Sequence, residues 1–157
     1  MSTPLDTTIR QHLVLGWTLL ALAALFGLGL EAMHGLKLGF YLDLDVQVRR
    51  HMWTLCHAHA TMLGLLQLGL AMTIQCMPAI AFHRATIWGG RLLLAAALLM
   101  PSGFFLGGLW FYAGDPGLGV LLVPIGGAAL VAALLLIAFA CRGHKISTET
   151  DDAGASR

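Results

Sequence analysis

The sequence predicts an all-α integral membrane protein: a four-helix bundle of up-down topology, with both termini in the cytoplasm. Three observations carry this prediction. The chain of 157 residues is 58% hydrophobic and only 11% charged, and its mean hydropathy is +0.81. A soluble domain carries about 25% charged residues, so much of this apolar surface must face lipid or partners. Four apolar runs recur, each near the roughly 20 residues needed to cross a bilayer. Lipid offers a bare backbone no hydrogen bonds, so runs of that length must be helices.

The first helix is predicted over 13–33, "LVLGWTLLALAALFGLGLEAM". The apolar run continues well past the "ALA" at 21–23, so it reads as a spanning helix and not as a cleaved signal. The second is predicted over 52–77, the third over 92–112 and the fourth over 118–141. Residues 1–141 then form one transmembrane domain, followed by a polar, frayed tail over 142–157. The linker "HGLKLGFYLDLDVQVRR" alternates apolar and polar residues from Leu42 to Arg49. That period predicts an extended segment, with an interfacial helix around Phe40 and Tyr41 as the alternative. "AGDPG" between the third and fourth helices is a tight turn.

Orientation follows from basic residues. Arg10, Arg84, Arg91, Arg142, Lys145 and Arg157 fall on one side, and Lys37, Arg49 and Arg50 on the other. The positive-inside rule then puts both termini in the cytoplasm, and the chain is read as a protein of a bacterial inner membrane. Trp53, Trp110, Phe111 and Tyr112 fall at the outer ends, Trp88 at an inner end, as expected of interfacial rings. Small-residue pairs at Ala23/Gly27, Ala60/Gly64 and Gly103/Gly107 are packing surfaces. Pro101 and Pro124 are expected to kink the third and fourth helices. The three cysteines imply no disulfide framework.

The chemistry concentrates in "HMWTLCHAHATMLG", residues 51–64. His57 and His59 lie two apart, so on a regular helix they point about 200° from each other and cannot share one small ion. The His57 face continues through Thr61, Gly64, Ala71 and Gln75, small and partly polar, and so looks into the bundle. The His59 face continues through Leu63, Leu66 and Leu70, and looks towards lipid, another subunit or a flat apolar cofactor. An imidazole inside a bilayer is a functional hint. The alternative is that both simply hydrogen-bond a neighbouring helix or headgroup water.

Glu31 and His34 are three apart and share a helix face. With His51, His57 and His59 they are expected to gather at one depth. Glu31, His34, His57 and His59 are the candidate metal ligands, and His34, His51, His57 and His59 the candidate cofactor ligands. Only one Glu-x-x-His is present, so a di-iron centre is not expected. A single Zn, Cu or Fe suits imidazole. Taken alone, Glu31 is expected to pair with Arg49, Arg50 or a histidine. His12, His83 and His144 are expected to be solvated at the inner interface.

"CHAHATMLGLLQLGLAM" resembles small four-helix membrane proteins that carry a His-Ala-His followed five residues later by Gly. Those proteins look like shortened relatives of the haem–copper oxidase catalytic subunit. The resemblance rests on His57, Ala58, His59 and Gly64. It implies that His57 or His59 ligates a metal or a b-type haem. The chain departs from the oxidase in lacking an adjacent His-His pair, a histidine on another central helix, and most of its helices. The second axial ligand of a haem would therefore come from His34, His51 or a second protomer. The late "VPIGGAALVAALLLIA" is similar to a segment of another group of four-helix proteins.

Three functions follow as expectations. The first is a haem- or metal-binding protein of membrane electron transfer, holding haem b or a transition metal. The second is a noncatalytic accessory subunit of a membrane complex. The third is a small permeation or proton-relay protein. An enzyme is the least supported, since no phosphate loop, Cys-x-x-Cys pair or nucleophile–base pair is present. The expected partners are the bilayer and a second copy or other membrane subunits. A net charge of +1 gives no reason to expect nucleic acid.

Overall fold

A computed structural model describes residues 4–43, 47–112 and 114–142. In chain order the elements are α1 (Pro4–Gly35), α2 (Gly39–Leu42), α3 (Gln47–Cys76), α4 (Arg84–Leu109), β1 (Phe111–Tyr112), β2 (Asp115–Pro116) and α5 (Leu122–Cys141). Short 3-10 turns over Pro78–Ile80 and Leu118–Leu121 precede α4 and α5. Four of these segments, Pro4–Gly35, Gln47–Cys76, Arg84–Leu109 and Leu118–Cys141, are long and apolar enough to cross a membrane.

The helices begin earlier than hydropathy alone marks. The first starts at Pro4 instead of 13, and the next two at Gln47 and Arg84 instead of 52 and 92. Hydropathy marks only the part of a helix that sits in hydrocarbon. Polar turns such as "DTTIRQH" continue the same helix beyond its apolar run. At its other end α4 stops at Leu109, because Phe111–Tyr112 pairs antiparallel with Asp115–Pro116. Gly114, with φ +93°, sits in the turn that closes this small ladder.

The linker expectation is corrected. Gln47, Val48 and Arg49 form the first turn of α3, and Gly39–Leu42 a short helix. Neither is extended; Leu44, Asp45 and Val46 lie outside the described residues. Pro124 is likewise not a kink inside the last helix. It falls in the first turn of α5, where the missing N–H has no intrahelical partner to lose. The change of geometry comes just before it, where the 3-10 turn passes into α5. Pro101 does lie inside α4, a single continuous helix.

The four long helices pack as a row, α1 against α3, α3 against α4, and α4 against α5. Each neighbour runs opposite to the last, as the contacts show. Between α1 and α3, Gly16 lies against Gly64, while Ala23 meets His57 further along. Between α4 and α5, Gly89 meets Ile137 and Gly103 meets Val123. The core around Leu63, Leu70, Ile74, Leu93, Ala96, Ala97 and Met100 is drawn from α3 and α4, joined by Ala133 of α5. Large apolar side chains stay exposed on the end helices: Leu22, Leu25 and Leu28 on α1, Leu135 and Phe139 on α5.

Lipid tails are as apolar as leucine, so close approach and dispersion must hold such helices together. A Cβ on Gly64 would stand 3.1 Å from the Gly16 carbonyl oxygen, and one on Gly16 would stand 3.0 Å from that of Gly64. Any side chain at either position would push the backbones apart. The α4–α5 contact uses Gly126 in the same manner, filled by Met100.

At the end where α1 stops and α3 starts, Trp53 is buried to 6% exposure. It was expected among the interfacial rings, but it faces inward. Its ring stacks on Phe105 at 5.7 Å and meets Phe26 edge-on at 6.1 Å. Its Nε1–H donates to the Phe105 carbonyl at 3.1 Å. A neighbouring Cβ-free surface, Gly108, makes room for it. Trp110 and Tyr112 remain exposed. Trp53→Ala is expected to lower unfolding stability by about 3 to 5 kcal/mol, as large aromatic truncations do. Trp110→Ala should leave it nearly unchanged; denaturant titration in mixed micelles measures both.

Candidate functional site

His57 projects from α3 onto α1. Its Nδ1 lies 2.9 Å from the Ala23 carbonyl oxygen. A carbonyl only accepts, so Nδ1 carries the proton and donates it. In the neutral ring Nε2 is then the unprotonated nitrogen. The ring rests on Gly27: a Cβ there would stand 2.6 Å from His57 Cε1 and 3.3 Å from Nε2. The Ala23/Gly27 pair, read from the sequence as a packing surface, is thus the seat of an imidazole. An i−4 carbonyl at this point of α1 has a second lone pair, and the ring takes it.

His59 projects to the other side of α3. Its Nδ1–H donates to Leu55 O of its own helix at 2.9 Å. Its ring lies 4.7 Å from that of Phe104 on α4. The face expected to meet lipid or a cofactor is therefore occupied, in part, by a neighbouring helix. The reason is the position of α3 in the row: it has a helix on each side. Thr61 returns its hydroxyl to His57 O at 2.9 Å, the usual use of a hydroxyl on a membrane helix.

Glu31, His34 and His51 do come together with Arg50, lining one open cleft of about 740 Å³ at the end of the row near α2. His57 and His59 do not line it. Met52 forms part of its wall, and beyond it along α3 Cys56 packs towards Phe104. Among the described residues, no three His, Cys, Asp or Glu side chains group closely enough to hold a metal ion. Arg49, a partner expected for Glu31, is engaged elsewhere. Its Nη1 donates to Phe40 O at 2.7 Å and its Nε to Gly108 O at 3.3 Å. Its guanidinium also lies 4.9 Å from the Phe40 ring centre and 5.1 Å from that of Phe111. Arg49 therefore ties α2, α3 and the end of α4 together.

Two histidines expected to be solvated have structural partners. His83 caps α4, its Nδ1 accepting from Ala85 N–H at 3.2 Å. His12 reaches from α1 to Gln67 of α3, with Nδ1 to Oε1 at 2.6 Å. Gln67 is 0% exposed, and its Nε2 has no hydrogen-bond partner among the described residues. His12 passes over Gly90 of α4, where a Cβ would stand 3.1 Å from Nε2. One signal for this contact is legible in the sequence: Gln67 lies one heptad after Ala60, on the inward side of its helix. His144 lies outside the described residues.

Comparison with protein-family models, with curated proteins and with solved structures returned no match for this chain.

The His57 contact is testable. His57→Ala removes the bond to Ala23 O and leaves a space over Gly27. Membrane hydrogen bonds average only about 0.6 kcal/mol, but the cavity adds to that, so a loss of about 1 to 3 kcal/mol is expected. Gly27→Val should cost at least as much, because the ring must leave its seat. Unfolding midpoints equal to the parent in both variants would show that the contact carries no stability.

Proposed function

We propose that this protein is a noncatalytic helical subunit of a membrane assembly, and that its two intramembrane histidines join helices. The observation that carries this reading is the His57 clamp, in which one ring nitrogen donates to α1 and the ring face covers Gly27. His59 is used similarly, against Phe104 of α4. A protein of this kind presents its outer apolar faces, on α1 and α5, to lipid and to partner helices. The distribution of lysine and arginine supports an orientation with both termini in the cytoplasm. That arrangement fits the inner membrane of a bacterium.

A second reading, binding of a b-type haem in membrane electron transfer, is favoured by one detail. Both histidines of the His-Ala-His donate Nδ1–H to a backbone carbonyl. That hydrogen bond is the one by which ligand histidines are oriented, leaving Nε2 for the metal. It also accords with the resemblance to small relatives of the haem–copper oxidases. The two rings face opposite sides of α3, so they cannot be the two axial ligands of one haem within one chain. His59 of this chain, with the same residue of a second copy, would hold the haem. The haem would supply one-electron chemistry, and the chain would supply the ligand and an apolar surround.

The absorbance spectrum of the purified protein, oxidised and reduced, separates the readings. The protein must be expressed with ample haem and metals, and its metal content measured on the same sample. The subunit reading expects no Soret band and no near-stoichiometric metal, with His57→Ala and His59→Ala altering only stability or assembly. A Soret band lost in His59→Ala would overturn it in favour of the haem.

A further inference from the structure

At the opposite end of the row from Glu31 and His34, a cleft of about 700 Å³ opens between the first turns of α1 and those of α4. These two helices run parallel, both entering the bilayer from this end. The cleft therefore has a depth order that can be read along them. At the level of His12 and Gly90, which touch, stand the two cations Arg10 and Arg91, both lining the cleft. Further inside, the lining is apolar: Val14 on α1 and Leu94 on α4. No carboxylate lines the cleft among the described residues.

One polar group points to an occupant. Thr86 is 3% exposed, lines the cleft, and its hydroxyl has no hydrogen-bond partner among the described residues. Leaving such a group unpaired is costly, by about 1 to 3 kcal/mol, so an acceptor in the cleft would relieve it. Arg91 lies over the Trp88 ring at 5.1 Å. Arg10 and Arg91 present charged donors to the cleft, and the Thr86 hydroxyl, sealed in its wall, adds a third when χ1 turns it outward. The matching ligand has several acceptor oxygens, a negative charge, and an apolar portion that follows Val14 and Leu94 into the bilayer.

We propose that this cleft binds one anionic glycerophospholipid, its phosphate held by Arg10, Arg91 and the Thr86 hydroxyl. Guanidinium groups bind phosphate oxygens through paired N–H donors, and these two lie where a phosphate belongs, at the boundary between polar and apolar lining. Attraction of anionic lipid to any basic membrane surface is general. The buried hydroxyl is what distinguishes a built site from such a surface.

The full chain, purified in a neutral detergent, would be mixed with phosphatidylglycerol, with phosphatidylcholine, or with inorganic phosphate. Native mass spectrometry counts bound lipid, and a thermal-shift assay measures protection. One phosphatidylglycerol per chain is expected, at least tenfold tighter than phosphatidylcholine, with no protection by inorganic phosphate. Arg10→Gln with Arg91→Gln should weaken it at least tenfold. Thr86→Val, which keeps the side-chain shape and so the fold, should weaken it several-fold. Equal binding of the two lipids, or protection by inorganic phosphate alone, would overturn the proposal. So would undiminished binding in Thr86→Val, which would leave only a basic surface.

Discussion

The contact between Gly16 and Gly64 sets the distance between α1 and α3, and much else follows from that distance. Each glycine lies about 3 Å, measured from the place a Cβ would take, from the carbonyl oxygen of the other. Helices that close leave room for a ring only where α1 again lacks bulk, at Ala23 and Gly27. His57 reaches the Ala23 carbonyl there because its own helix is near enough. On the other side of the crossing, the same separation lets His12 of α1 reach Gln67 of α3. In a membrane there is no hydrophobic force to draw two helices together. A reciprocal glycine contact flanked by two side-chain hydrogen bonds supplies dispersion and polar attraction in its place.

The spanning helices were legible because hydropathy and length report directly on the hydrocarbon layer. Their ends were less so, since polar turns of the same helix read as loop. The linker misled for a related reason. Alternation from Leu42 to Arg49 imitates a strand, while Arg49 is drawn into a helix by carbonyls of Phe40 and Gly108, the latter far off in sequence. The inward aspect of Trp53 depended on Phe26, Tyr41 and Phe105, three other segments, and no local pattern carries that. The small faces were legible as packing surfaces. What each would pack against was not, so Ala23 and Gly27 pointed to a helix, and the structure puts a histidine on them.

Among the candidate site residues, angular spacing was the dependable guide. Two residues on a helix point apart whatever surrounds them, and His57 and His59 do face different neighbours. Depth was a weaker guide. Glu31, His34 and His51 share a cleft, but the two histidines deeper in α3 are directed at other helices. His12 was passed over because it stands beside Arg10 in a polar stretch. Its partner Gln67 is the one fully buried side-chain amide among the described residues, and a buried amide in a membrane helix calls for a donor or acceptor from elsewhere in the fold.

The clasp made by Arg49 and Trp53 also bears on how the chain is assembled. Both side chains stand at the start of α3, yet their acceptors, Gly108 O and Phe105 O, are more than fifty residues further on. During synthesis the α1–α3 hairpin enters the membrane before α4 exists. Until α4 arrives, Arg49 holds only Phe40 O, and its Nε–H and the indole N–H wait at the mouth of that hairpin, satisfied by water or headgroups. The closing of this end is thus the last step available to the first three spanning helices. It ties the placement of the early hairpin to the successful insertion of a later segment.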